Sequence, residues 1–227
     1  SPQRPVSFPV RFAAALMDGT LSPMDSKPVP PDACRLRWYH RLAPVLAVLT
    51  GLGTAWVAVR GTQQSPVPGS PWEVNLLAGS PEADPYTRAR VALNGLLALS
   101  PRETLYYTAR HDGEGRQLRA DCRYRITGTS PDARWWSITA YAEDLFLFRD
   151  PAGRHSVDAT ALPGGGFAFE TGPAHAASLR DHGVPWLPTT GEGGLILTLR
   201  LYQPSAALSD DPLALRVPSI RRLGACP

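Results

Sequence analysis

Apolar and polar positions alternate one by one along residues 135–141. Trp135, Ser137, Thr139 and Tyr141 fall on one side, and Trp136, Ile138 and Ala140 on the other. A two-residue period built from aromatic and β-branched residues predicts a strand. Residues 195–202 repeat the pattern, with Leu195, Leu197, Leu199 and Leu201 on one face and Ile196, Thr198, Arg200 and Tyr202 on the other. These two stretches are expected to be core strands that bury Trp136, Ile138, Leu197 and Leu199 together. Further strands are expected at 105–110, 122–127, 154–157 and 167–170, with a short apolar run at 145–148. In the second of these, Cys122, Tyr124 and Ile126 alternate against Arg123, Arg125 and Thr127. Glycine runs at 164–166 and 191–194 are expected to be hairpin turns.

The pattern changes before residue 105. Asp84-Pro85 starts a helix, with Asp as N-cap and Pro in the first turn. Tyr86, Ala89, Leu93, Leu96 and Leu97 then fall on one side at helical spacing, which predicts packing against the sheet. Ser100 and Glu103 form a capping box that predicts a short helical turn. Residues 42–59 carry no charge and lie between Arg41 and Arg60. At about 1.5 Å per residue that stretch is long enough to cross a bilayer. The expected domains are a disordered arm (1–40), a transmembrane anchor (41–60), a Pro- and Gly-containing linker (61–71) and a folded domain (72–227). Helix followed by many short strands argues for an antiparallel β-sandwich or barrel.

Charge sharpens this division. The chain carries a net +3, but residues 61–227 hold 16 Arg, no Lys and 17 acidic residues. The basic excess lies before residue 61, so the folded part lacks the basic patch expected of a nucleic-acid binder. Arg35, Arg37, His40 and Arg41 precede the apolar span and only Arg60 follows closely. The positive-inside rule then places the arm in the cytoplasm and the folded domain outside. A cleaved signal peptide is the alternative. Against it, Trp56 would occupy the −3 position if cleavage followed Ala58. Of the three cysteines, Cys34 precedes the span. Cys122 and Cys226 remain as an even pair on the oxidising side, so a disulfide is expected there, against the alternative of two free thiols.

Several motifs occur in a fixed order: Asp84-Pro85-Tyr86-Thr87-Arg88-Ala89, then Tyr106 or Tyr107 before Asp112-Gly113, then Trp135-Trp136-Ser137-Ile138-Thr139 with Tyr141. Trp186-Leu187-Pro188 and Leu199-Arg200-Leu201-Tyr202 with Pro204 follow. This order resembles the domain of unknown function 1214 family, in its short, singly membrane-anchored bacterial form, over about residues 71–223. The resemblance implies a mainly β fold, an antiparallel jelly-roll-like β-sandwich with an N-terminal helix packed on it and one transmembrane helix before it. It implies no established reaction, cofactor or catalytic residue. The turn Tyr141-Ala142-Glu143-Asp144 departs from the family, whose members more often have Tyr, an acidic residue and Gly here.

No nucleophile elbow and no phosphate-binding loop is present. His111, His155, His175 and His182 lack the close spacing of zinc ligands, so neither metal nor cofactor is expected. Trp135, Trp136, Tyr141, Trp186 and Tyr202 either pack in the core or line a ligand groove. Tyr141, Arg154, His155, Trp186 and Arg200 are the expected ligand-binding residues, arranged around a common cleft. The corresponding function is a membrane-anchored envelope protein on the periplasmic side. It would meet the bilayer through 42–59 and bind a small molecule or an envelope protein. A hydrolase with an acid–base site near His155 and Asp144 is the second reading, and a purely structural domain the third.

Overall fold

The computed structural model describes residues 37–60, 64–93, 99–179 and 183–226. The arm before residue 37 with Cys34, together with Leu96, Leu97 and His182, lies outside the described residues, as does the His175 side chain. Two units divide the chain, Ser1–Thr50 and Gly51–Pro227. Helix α1 (Arg37–Arg60) is 24 residues long and contains Pro44. Its window Leu42–Val59 has a mean hydropathy of 1.9, and none of that window is buried in protein.

Strand β1 (Ser65–Pro66) pairs with β2 (Trp72–Val74), so the sheet begins inside the stretch read as linker. Val67 is buried at the turn between them, which gives that stretch an apolar anchor. Helix α2 (Pro85–Leu93) starts as expected. The Asp84 carboxylate accepts the backbone N–H groups of Tyr86 and Thr87 and the Thr87 hydroxyl. Its buried face differs from the expected one. Tyr86, Ala89 and Leu93 are exposed, and the inward positions are Ala83, Thr87 and Val91, four residues apart. Arg88 sets this rotation by donating to the carbonyls of Ala83 and Pro81 at 2.9 Å each. Ser100 and Glu103 bond to each other through the Glu103 carboxylate, and the single turn they close, with the Thr104 N–H donating to the Ser100 carbonyl, leads directly into β3.

The strands that follow are β3 (Thr104–Ala109), β4 (Tyr124–Thr129), β5 (Ala133–Ala142), β6 (Ser156–Asp158) and β7 (Gly166–Pro173). After a 3₁₀ turn come β8 (Trp186–Thr189) and β9 (Leu195–Pro204), then the short α3 (Ala206–Asp210) and β10 (Ser219–Arg222). They form two sheets, in the orders β1-β2-β3-β9-β5-β6 and β10-β4-β7-β8. Among the described residues only β7 and β8 pair in parallel; the other pairs are antiparallel. The run at 145–148 is a turn with Phe146 and Leu147 exposed. The two glycine runs are not hairpins. They carry the chain between sheets, from β6 to β7 and from β8 to β9. Gly164 (φ 128°) and Gly193 (φ 120°) take backbone angles that side chains oppose.

The expected register holds. Ile138 pairs with Leu199, and Trp136 with Leu201. Trp136, Ile138, Leu197 and Leu199 share one core with Tyr124, Ile126, Phe167 and Phe169 of the second sheet. Each fully buried leucine or isoleucine removed from water contributes about 1.5–3 kcal/mol before entropy is counted. The Cys122–Cys226 disulfide is formed, and it ties the chain beyond β10 to the start of β4.

Candidate functional site

Core alternation dictates what faces outward on the six-stranded sheet. Every second residue of β3, β9 and β5 points away from the core, and registry sets these residues in rows. One row is Thr104, Tyr202 and Trp135; the next is Tyr106, Arg200, Ser137 and Asp158; the third is Thr108, Thr198, Thr139 and Ser156. The small residues Thr104, Ser137, Thr139 and Thr198 are buried. The long side chains of Tyr106, Trp135, Tyr141, Arg200 and Tyr202 are half-buried, so they form the accessible surface.

Arg200 is the centre of this surface. Its guanidinium donates to Thr139 Oγ1 at 3.0 Å and to the Tyr141 hydroxyl at 2.7 Å. The guanidinium carbon lies 5.4 Å from the Tyr141 ring centroid. Both hydrogen-bond partners are neutral, and among the described residues no carboxylate pairs with Arg200. Trp135 and Tyr202 meet with ring centroids 5.2 Å apart and planes tilted at 53°. The Trp135 indole N–H donates to Thr160 Oγ1 at 3.2 Å, which fixes the orientation of the ring. Burial raises the Tyr106 phenol above its usual range, Tyr202 adds to this, and the nearby charge of Arg200 opposes it.

Of the five expected ligand-binding residues, only Tyr141 and Arg200 are bonded to one another. Arg154 pairs with Asp150 at 3.0 Å in an exposed turn. His155 comes one residue before β6, out of phase with Ser156, which pairs with Thr139 on the outer face. Its Nδ1 is buried without a hydrogen-bond partner. Trp186 belongs to the other sheet, where its ring and the Arg123 side chain both close on Gly172, leaving no room for a Cβ there. There Glu170 is buried and accepts Arg123 at 3.1 Å, with Arg125 at 3.6 Å. Asp144 is exposed and caps its own turn by accepting the Phe146 N–H at 3.1 Å. Neither His155 nor Asp144 is bonded to Arg200, and among the described residues no His, Cys, Asp and Glu group is arranged to hold a metal ion.

Concave features lie elsewhere among the described residues. An open cleft of about 870 Å³ runs between the β1–β2 hairpin and β10, past His111, Glu73 and Pro218. Its buried Asp112 carboxylate is already committed to the N–H groups of Glu114 and Arg116 and to the Arg116 guanidinium. A smaller cleft lies beside α2, at Ala83 and Val91. Sequence reasoning did not single out Tyr106 or Thr139 for this site. Their phase was legible from alternation, but the pairing of Tyr106 with Arg200 depends on a register across distant strands.

These features define a mainly β domain of two packed sheets with an arginine-centred aromatic face. Residues 103–206 match the profile of the family described as "Protein of unknown function (DUF1214)". No curated protein matches the chain. The crystal structure of the VPA0106 protein from Vibrio parahaemolyticus is similar over 63% of this chain and 36% of its own, at 20% identity and a TM-score of 0.50. That of an uncharacterised protein from Burkholderia cenocepacia aligns over 86% of this chain and 53% of its own, at 16% identity and a TM-score of 0.37. The chain thus spans less than two thirds of either, and the first similarity bears on fold alone.

Proposed function

We propose that this protein is a membrane-anchored binding protein whose β-domain lies outside the cytoplasmic membrane and takes an anionic ligand on the outer face of its larger sheet. The observation that carries the reading is Arg200, a half-buried cation held by two hydroxyl groups and by no carboxylate. Arginine in that setting is pre-organised for a planar anion, because its fork is fixed before the ligand arrives. The apolar helix supports the anchor. The Cys122–Cys226 bridge supports an oxidising compartment for the domain.

Two measurements test the two parts. Protease added to intact spheroplasts digests the β-domain if it lies outside; a protected domain rejects the placement. The full chain in nanodiscs, screened by thermal shift against small carboxylates and phosphates, gains stability with at least one of them, and Arg200→Gln loses that gain. An equal gain in the variant rejects Arg200 as the binding group.

A further inference from the structure

Helix α2 presents an apolar stripe outward. Tyr86, Ala89 and Leu93 are exposed, Leu93 to 74%, while Thr87 and Val91 face inward. Arg90 lies within the same stripe, four residues after Tyr86 and three before Leu93. This residue reaches the end of α1. The last turns of α1, from Gly51 on, belong to the same unit as the β-domain. Val59 is the penultimate residue of α1, so its carbonyl is among the four at the helix end that have no partner inside the helix. The Arg90 guanidinium donates to that carbonyl at 3.4 Å. The tether between the helix and the sheet is also short. Four residues, 61–64, separate Arg60 from Ser65 at the start of β1, and five Cα steps reach at most about 18 Å.

On the anchor reading above, Val59 marks the level at which the chain leaves the bilayer, and the apolar stripe of α2 is then one arginine side chain away from that level. A short helix with an outward apolar side lies in the plane of the interface. Tyrosine is suited to the headgroup layer, and an arginine buries its stem there while its head stays among polar groups.

We propose that α2 docks on the bilayer surface from which α1 emerges, with Tyr86 and Leu93 inserted among the headgroups and upper acyl chains and Arg90 holding the helix to Val59. The proposal rests on the anchor part of the reading above and adds a second contact with the membrane.

Fluorescence quenching on the full chain in phosphatidylcholine vesicles tests it. In a Cys34→Ser background, with Cys122 and Cys226 bridged, an introduced thiol takes an environment-sensitive dye. Leu93→Cys puts the dye on the stripe, and Leu49→Cys puts it in the middle of the apolar span. Both side chains are exposed, so neither change removes core packing. The expected result at 93 is loss of fluorescence with nitroxide lipids, greatest when the nitroxide is near the headgroup, and little loss with iodide in the water. At 49 a nitroxide near the chain end is expected to quench most. Arg90→Gln, which cuts the tie to Val59, lowers the lipid quenching at 93; no change there overturns Arg90 as the tie. A dye at 93 that iodide quenches and nitroxide lipids do not overturns the docking. A dye at 93 shielded from both also overturns it, because protein then covers the stripe. In either case lipid quenching at 49 leaves the anchor standing, and its absence at 49 overturns the anchor as well.

Discussion

Trp136 and Phe167 stack across the interface between the two sheets, with ring centroids 4.5 Å apart and planes 29° from parallel. Trp136 comes from β5 of the larger sheet and Phe167 from β7 of the smaller, and Phe169 continues the row at 6.5 Å. Phe167 therefore ties the two sheets together at this end of the core. Phe167→Ala is expected to cost about 3–5 kcal/mol, measured by urea unfolding of the domain. A cost below about 1 kcal/mol would mean that the sheets are held together elsewhere.

The same ring explains a glycine. A Cβ on Gly128 would lie 2.9 Å from Phe167 Cζ and 3.1 Å from Pro218 Cβ. Gly128→Ala is expected to destabilise by about 1–3 kcal/mol through overpacking. Combined with Phe167→Ala it should cost less than the two single changes added, because the clash partner is gone. Strict additivity in a double-mutant cycle would contradict the contact.

Cys122 and Cys226 close a loop over a separation of 104 residues. For a loop of that length the chain-entropy account gives roughly 4–5 kcal/mol of stabilisation. Cys122→Ser should lower stability by an amount of that order, and alkylation of denatured, unreduced protein should label neither cysteine. Mass-spectrometric detection of both alkylated residues would show that the bridge is absent from the protein as isolated.

Arg154 acts locally. Its guanidinium, and after it its backbone N–H, holds the Asp150 carboxyl down at about 2. A carboxyl lowered in the folded state stabilises above its unfolded value, near 4, and that contribution is lost as pH falls toward 2. In Arg154→Gln the Asp150 midpoint is expected to rise into the ordinary carboxylate range, as read by carboxyl NMR. Because the pair is bonded within its own turn while Arg200 is held by Thr139 and Tyr141, anion binding at Arg200 should be unchanged.

Much of the fold was legible in residues 135–141 and 195–202, because burial on one face imposes strict alternation and a slip of one residue would turn Ile138 and Leu199 to water. The α2 stripe was misread for a related reason. A nine-residue helix admits two apolar stripes, and the hydrogen bonds of Arg88, which periodicity does not contain, choose between them. The site was legible in part. Tyr141 and Arg200 were named from residue type, and their strands do pair. Trp186 has the right chemistry on the other sheet, since the crossovers at 164–166 and 191–194 resemble hairpins in sequence, and Arg154 is taken up by Asp150 in a turn before β6.

The position of β9 has a further consequence. It lies between β3 and β5, so Leu201 pairs with Leu105 on one side and with Trp136 on the other. The larger sheet cannot assemble in the order in which the chain is made, because its middle strand arrives after both neighbours. Pairings this distant in sequence make folding slow. Until Leu195 is available, β3 and β5 each offer a bare row of N–H and C=O groups, and edge-to-edge association competes with folding. A chain interrupted in the turn at 191–194 would keep both exposed edges and have no strand to close them.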